Sequence, residues 1–220
     1  MRMGTAGAVV AAALTFAAAQ AEEKKAGDGL PRVLLIGDSI SIGYTPIVQE
    51  LLKGKAEVIH PSDNCESTLT GLKKLSEWLG EGRWTVIHFN FGLHDLKHVN
   101  AKGERVPVEQ GKQLVALDKY EKNLRQLVER LRKTGARLIW CSTTPVPPGA
   151  MGRVSGDEAK YNEVAAKVMQ ESQIAINDLC AVARPRLAEL QQPADVHFTP
   201  AGYKELAKAV VAAVEKELAK

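Results

Sequence analysis

The sequence is poor in cysteine and in aromatic residues, and it has no strong excess of either charge. Only 3 of its 220 residues are cysteines, so at most one disulfide can form, which excludes a small disulfide-stapled fold. Aromatic residues make up 5%, and 29 Lys and Arg nearly balance 26 Asp and Glu without a basic cluster. Because nucleic-acid binding relies on basic patches and stacking aromatics, we expect no nucleic-acid partner.

The N-terminus has the pattern of an export signal. Arg2 precedes an alanine-rich apolar stretch over residues 6–18, and Ala19-Gln20-Ala21 is a small-x-small cleavage site. The apolar stretch is too short, and its alanines too weakly apolar, for a stable membrane span. We therefore predict a signal peptide over residues 1–21 and a flexible leader over 22–31. The mature protein is expected to be secreted or periplasmic, without stable membrane insertion.

Apolar runs of strand length alternate with amphipathic stretches of helical length in the rest of the chain. This alternation is typical of βαβ units with parallel strands that are buried on both faces. With right-handed crossovers it predicts an α/β protein, a three-layer α/β/α sandwich forming one domain over residues 32–220. Strands are predicted at 32–37, 56–60, 84–91, 136–143 and 173–177, and helices at about 44–54, 68–80, 114–134, 156–172, 179–190 and 200–218.

The tripeptide Gly37-Asp38-Ser39 stands where the first predicted strand turns into a helix. A serine at such a turn is exposed at the carboxyl edge of the sheet, beside backbone N–H groups that can stabilise an oxyanion. Asp and Ser are also common helix caps, so the tripeptide alone is a weak signal. A base for the serine is available in His197, because histidine titrates near neutral pH.

Together with Gly92-Leu93-His94-Asp95 after the middle strand, these segments resemble the SGNH (GDSL) hydrolase family over residues 32–218. The resemblance implies a serine esterase that works through an acyl-enzyme and needs no cofactor. It implies that Ser39 is the nucleophile and His197 the base. The implied fold has a five-stranded parallel sheet in the flavodoxin-like order 2-1-3-4-5.

Three positions depart from the family's pattern. Aligned on Gly71, the glycine whose N–H normally serves the oxyanion hole is replaced by Cys65, which still has a backbone N–H. The asparagine that normally donates from the third block is replaced by His94, whose ring can also donate. The usual acid three residues before the histidine is Ala194. Asp195 can orient the ring if the segment is extended but not in a tight turn, and a backbone carbonyl is the alternative.

Other residues allow simpler interpretations. Asn64 is either a polar residue of the site or the start of an Asx turn. His94 and His98 have the spacing of a helical metal pair, but no further ligands cluster with them, and we expect no metal site. In the flavodoxin-like order Cys65 and Cys141 are about 14 Å apart, too far for a disulfide. We expect three free thiols, although a Cys141–Cys180 pair stays open.

The substrate is the least determined property. Export and a loop-walled site, with loops at 97–111 and 145–149, favour short acyl esters, acetyl above all, on a small molecule or polysaccharide. A lipid or thioester substrate is the enzymatic alternative. Because three of the family's positions are altered, a degenerate domain that binds glycans without turnover is a further alternative.

Overall fold

A computed structural model describes residues 29–220, so the predicted signal peptide and most of the predicted leader lie outside the described residues. A five-stranded parallel sheet with the order β2-β1-β3-β6-β7 lies at the centre, and β4 and β5 form a separate antiparallel pair. The strands are β1 (Arg32–Ile36), β2 (Glu57–Ile59), β3 (Val86–Phe89), β4 (His98–Val99), β5 (Lys112–Gln113), β6 (Arg137–Cys141) and β7 (Ala175–Asn177). Without the short pair, this is the expected order 2-1-3-4-5.

Helices cover both faces of the sheet. On one face α1 packs against α7, and on the other α3 packs against both α2 and α4. The helices are α1 (Ser39–Leu51), α2 (Thr68–Leu79), α3 (Leu117–Arg132), α4 (Glu158–Glu171), α5 (Leu179–Ala183), α6 (Leu187–Leu190) and α7 (Pro200–Leu218). The predicted three-layer α/β/α architecture is therefore confirmed. Within residues 29–220, no helix is both long enough and apolar enough to cross a bilayer.

The first strand shows why this sequence forms a buried sheet. Val33, Leu34, Leu35 and Ile36 are each at most 1% exposed, although successive side chains point to opposite faces. Both faces of the strand are thus covered by helices, as its uninterrupted apolar run predicts. Each such side chain contributes about 1.5–3 kcal/mol of burial free energy.

Three elements differ from the prediction for identifiable physical reasons. Helix α1 begins at Ser39 rather than near residue 44, because the Asp38 carboxylate accepts the Ile40 N–H at 2.9 Å and caps it. The helix predicted over 179–190 is divided into α5 and α6 by a 3₁₀ turn containing Pro185. The segment 97–111, predicted as a loop, contributes β4 to the short antiparallel pair.

Candidate active site

Ser39 is the first residue of α1, and only Gly37 and Asp38 separate it from the carboxyl end of β1. Its hydroxyl Oγ lies 2.9 Å from Nε2 of His197, which is 158 positions further along the chain. Its N–H belongs to the first turn of the helix, where no preceding carbonyl of the helix can accept it, and where the helix dipole favours negative charge. The strand-to-helix turn thus presents both a hydroxyl and an N–H donor.

Asp195 contacts the other side of the His197 ring. Its Oδ1 accepts from ring Nδ1 at 2.7 Å and from the His197 backbone N–H at 3.1 Å. A carboxylate only accepts, so the ring proton resides on Nδ1, and Nε2 has a lone pair for the Ser39 proton. The pKa of Asp195 is lowered overall. Partial burial is the largest single influence and acts to raise the pKa, but the hydrogen bonds from the backbone and ring of His197 together outweigh it.

This contact corrects the expectation that Asp195 needs an extended backbone to reach the ring. Residues 195–197 form a bend, and Asp195 closes it by accepting the N–H two residues ahead, as in an Asx turn. The same oxygen is thereby held beside the ring. The chain enters the bend through Ala194, whose φ of 55° lies in the left-handed region.

Hydrogen bonds from both sides fix the loop that carries His197. The Gln192 N–H donates to the His197 carbonyl at 2.9 Å, and the Gln191 side chain donates to the Val196 carbonyl at 3.0 Å. After the loop, Thr199 caps α7 by accepting the Gly202 N–H at 3.1 Å. Gly202 is required because a Cβ there would lie 2.1 Å from a backbone carbonyl oxygen. The segments before and after His197 therefore hold the base in place.

The structure contradicts the expected role of Cys65. Its backbone N–H donates to the Gly37 carbonyl at 3.1 Å and is therefore engaged rather than free for an oxyanion. Burial raises the pKa of its thiol to about 12, so the thiol stays protonated and unreactive. Of the two interpretations of Asn64, the structure has the Asx turn, since its Oδ1 accepts the Glu66 N–H at 3.0 Å. Both residues shape the turn before α2.

His94 is an electrically neutral donor beside this site. Burial, followed by repulsion from Lys97, Arg153, Arg105 and His197, lowers its pKa to about 3. Lys97 Nζ lies 3.2 Å from His94 Nδ1, and because an ammonium group only donates, Nδ1 is the acceptor. The remaining proton of the neutral ring is then on Nε2. His94 therefore has one N–H available as a donor.

Asp95, which the sequence analysis did not single out, links this segment to α2. It is fully buried, and it accepts the Thr68 N–H at 3.0 Å and the Thr68 hydroxyl at 2.5 Å. The preceding residue, Ser67, makes no side-chain cap, so Asp95 caps α2 from a distant part of the chain. Burial raises its pKa to about 7, although the bonds from Thr68 oppose the rise. The available signal was its place in the Gly-Leu-His-Asp block.

Arg153 is a second residue that the sequence did not indicate. It is 8% exposed, and its Nε donates to the Leu93 carbonyl at 2.9 Å, beside His94. Burial and repulsion from Arg105 lower its pKa, while attraction to Asp38 and Asp195 opposes the change. Nothing in its sequence context, a loop after two prolines, distinguishes it from a surface arginine.

The remaining site expectations concern thiols and metals. Cys65, Cys141 and Cys180 are all buried and free, so Cys141 and Cys180 do not pair. His98 lies in β4, so its spacing from His94 is not that of a helix. In the part of the chain that the structure describes, no three His, Cys, Asp or Glu residues are grouped as metal ligands.

Comparison with solved structures shows a shared fold. An acetyl xylan esterase aligns with a TM-score of 0.67 and 19% identity, over 83% of this chain and 99% of its own. A lipase/acylhydrolase from Enterococcus faecalis aligns with a TM-score of 0.71 and 18% identity, over 85% of this chain and 96% of its own. A catalytic mutant of an acetylxylan esterase from Geobacillus stearothermophilus aligns with a TM-score of 0.69 and 19% identity, over 86% of this chain and 96% of its own.

Comparison with curated protein sequences finds no match. The sequence profile of the GDSL-like lipase/acylhydrolase family matches residues 35–205. The matched segment spans most of the chain and contains Ser39, His94 and His197, the residues that the fold brings to one edge of the sheet. The chain therefore belongs to the GDSL-like lipase/acylhydrolase family and is an ester hydrolase.

Proposed function

We propose that this chain is an exported serine esterase that removes short acyl groups, acetyl above all, from carbohydrates. The observation that supports catalysis most directly is the chain of contacts from Ser39 Oγ to His197 Nε2 and from His197 Nδ1 to Asp195. Export is supported by the N-terminal sequence pattern. The acetyl-carbohydrate substrate is supported by two structural neighbours, which are acetyl xylan esterases.

In the proposed first step, Ser39 Oγ attacks the ester carbonyl while His197 Nε2 accepts its proton. Asp195 stabilises the imidazolium through Nδ1. The Ser39 N–H and the Nε2–H of His94 donate to the oxyanion, and this replaces the donor set expected from the sequence, because the Cys65 N–H is engaged. When the tetrahedral intermediate collapses, His197 returns the proton to the leaving alcohol.

The second step removes the acyl group from Ser39. His197 takes a proton from water, the hydroxide attacks the acyl carbonyl, and the same donors hold the second oxyanion. Collapse releases the carboxylic acid and returns the proton to Ser39 Oγ. Each proton in this cycle moves through His197 Nε2, so the described side chains suffice without a cofactor.

A series of p-nitrophenyl esters of increasing acyl length tests the proposal. We expect the acetyl ester to have the highest kcat/KM and the rate to fall with chain length. A fluorophosphonate probe should modify Ser39, as located by mass spectrometry of the digested protein. A rate that rises with acyl chain length would indicate a lipase instead. A folded protein that gives no fluorophosphonate adduct would indicate a binding domain without turnover.

His94→Ala should lower kcat by about 100-fold with little change in KM, since removing one oxyanion donor weakens binding of the transition state only. His94→Gln is the matched variant, because its side-chain amide also donates, and we expect partial recovery of kcat. Steady-state kinetics on the acetyl ester measure both. A change confined to KM would instead place His94 in substrate binding.

A further inference from the structure

Three basic side chains lie around His94. Lys97 contacts the His94 ring, Arg153 bonds to the adjacent Leu93 carbonyl, and repulsion from Arg105 acts on both His94 and Arg153. We call Lys97, Arg105 and Arg153 the basic cluster. Its position next to a proposed oxyanion donor places it within reach of a bound ester.

The two arginines are held on one wall of the site. Arg105 packs over Gly152, where a Cβ would lie 2.8 Å from Arg105 Cγ, and Gly152 directly precedes Arg153. The Gly152 carbonyl also accepts the His98 N–H at 2.7 Å, which ties this loop to β4. These contacts bring two guanidinium groups together although like charges repel.

The basic cluster forms no ion pair with a described carboxylate. Among residues 29–220, none of its members forms an ion pair within 4.0 Å. The neighbouring carboxylates make their hydrogen bonds elsewhere: Asp195 to His197, Asp95 to Thr68, and Asp38 to the Ile40 N–H. They act on the cluster only through space, Asp38 and Asp195 on Arg153, and Glu66 and Asp95 on Lys97.

Arg153 is the most informative member. It is more than nine-tenths buried, yet beyond the Nε bond to Leu93 its guanidinium has no hydrogen-bond partner among the described residues. A largely desolvated charge gains more from a nearby anion than an exposed one does, because water screens the attraction less. The planar fork of an arginine matches the two oxygens of a carboxylate or the oxygens of a sulfate. The two Nη groups of Arg153 bind no other described residue and are not among the fully buried atoms, so they are open to a bound anion.

We propose that the basic cluster selects esters whose alcohol part carries an anionic oxygen group, a carboxylate or a sulfate, with Arg153 as its main contact. This inference rests on the proposed function. An acetyl group has no charge of its own, so the anion must belong to the alcohol. On a carbohydrate, a uronic acid or a sulfated sugar provides it.

Three acetylated methyl glycosides with the acetyl at the same hydroxyl test the inference. They differ only at C6, which is a hydroxymethyl group, a carboxylate or a sulfate ester. We expect at least one charged glycoside to have a kcat/KM about tenfold or more above the neutral one, as a charge-assisted hydrogen bond contributes. The advantage should shrink at high salt because ions screen the attraction. Which charged glycoside is preferred distinguishes a uronate from a sulfated sugar.

Variants then assign the preference to Arg153. In Arg153→Gln the ratio of charged to neutral kcat/KM should fall towards one, and Arg153→Lys should retain part of it because the charge remains without the fork. Arg83→Gln is the control, since it removes the same charge from an exposed loop before β3, at the opposite edge of the sheet. It should leave the ratio unchanged. If Arg153→Gln fails to fold, Arg105→Gln should lower the ratio by a smaller factor.

The outcomes separate this inference from the proposed function. Equal rates on the three glycosides, or a ratio insensitive to salt and to Arg153, would overturn the inference and leave the esterase intact. If none of the glycosides and no p-nitrophenyl ester is hydrolysed, the proposed function itself fails. A preference that persists in folded Arg153→Gln protein would assign the anion site to other residues.

Discussion

Ser39→Ala should abolish ester hydrolysis and leave the fold intact. The substitution removes only the hydroxyl that contacts His197, while the N–H at the start of α1 and the Asp38 cap remain. Loss of the nucleophile from a serine protease costs about 10⁶-fold in kcat, and we expect a loss of that order here. Release of p-nitrophenol, with circular dichroism to confirm the fold, measures the effect. The fluorophosphonate adduct should disappear as well.

Ser41 offers a matched control within the same turn. Its hydroxyl lies 2.7 Å from Nε2 of His60, so two residues after Ser39 the chain has a second serine–histidine contact. Ser41 is 2% exposed, and its hydroxyl also donates to the Asp38 carbonyl at 2.8 Å, so it is not presented to a substrate. Ser41→Ala should retain the adduct and most activity. Activity in Ser39→Ala that is lost in Ser41→Ala would transfer the nucleophile to Ser41.

Asp195→Asn should lower kcat strongly, by up to about 10⁴-fold if the full effect measured in a serine protease applies. The amide cannot stabilise the imidazolium, and its NH₂ group favours the ring tautomer with the proton on Nε2, which is the wrong one for accepting from Ser39. Asp195→Ala should behave similarly. Kinetics on the acetyl ester, with the Ser39 adduct rate as a second readout, measure the loss.

Two further variants make this prediction decisive. Asp118→Asn removes an exposed carboxylate at the start of α3 and should leave kcat unchanged. Ala194→Asp in the Asp195→Ala background restores a carboxylate three residues before the base, at a left-handed position that aspartate tolerates. A loss of less than tenfold in both Asp195 variants, about 1.4 kcal/mol in the barrier, would remove Asp195 from the catalytic set.

Much of the fold could be predicted because its signals are local. A run such as Val33 to Ile36 has to be buried on both faces, and the turn residues after it mark where the helix begins. Boundaries were less predictable, because the start of α1 depends on whether the Asp38 side chain bends back to cap it. Pro185 is the local signal for the division of the helix predicted over 179–190, because a proline cannot donate to the helical hydrogen bonds.

The site could be predicted only in part. Ser39 and His197 were identifiable because each stands in a recognisable local pattern, at a strand end and before the last helix. The Cys65 donor was wrongly expected, because the engagement of its N–H depends on the Gly37 carbonyl, which reaches it only when β1 and the turn after β2 come together. The role of Asp195 could not be decided from the sequence, because its reach to the ring depends on a bend at residues 195–197.

The sequence by itself determined the layered α/β architecture, the identity of the serine and histidine, and the family resemblance. These properties follow from hydrophobic period and from residues adjacent in the chain, which act before any distant contact forms. Only the tertiary structure decided that His94 is neutral with its proton on Nε2, and that Arg153 is largely buried while its Nη groups bind no other described residue. Protonation and burial depend on neighbours brought from distant segments, because the desolvation and charges that set them act through space.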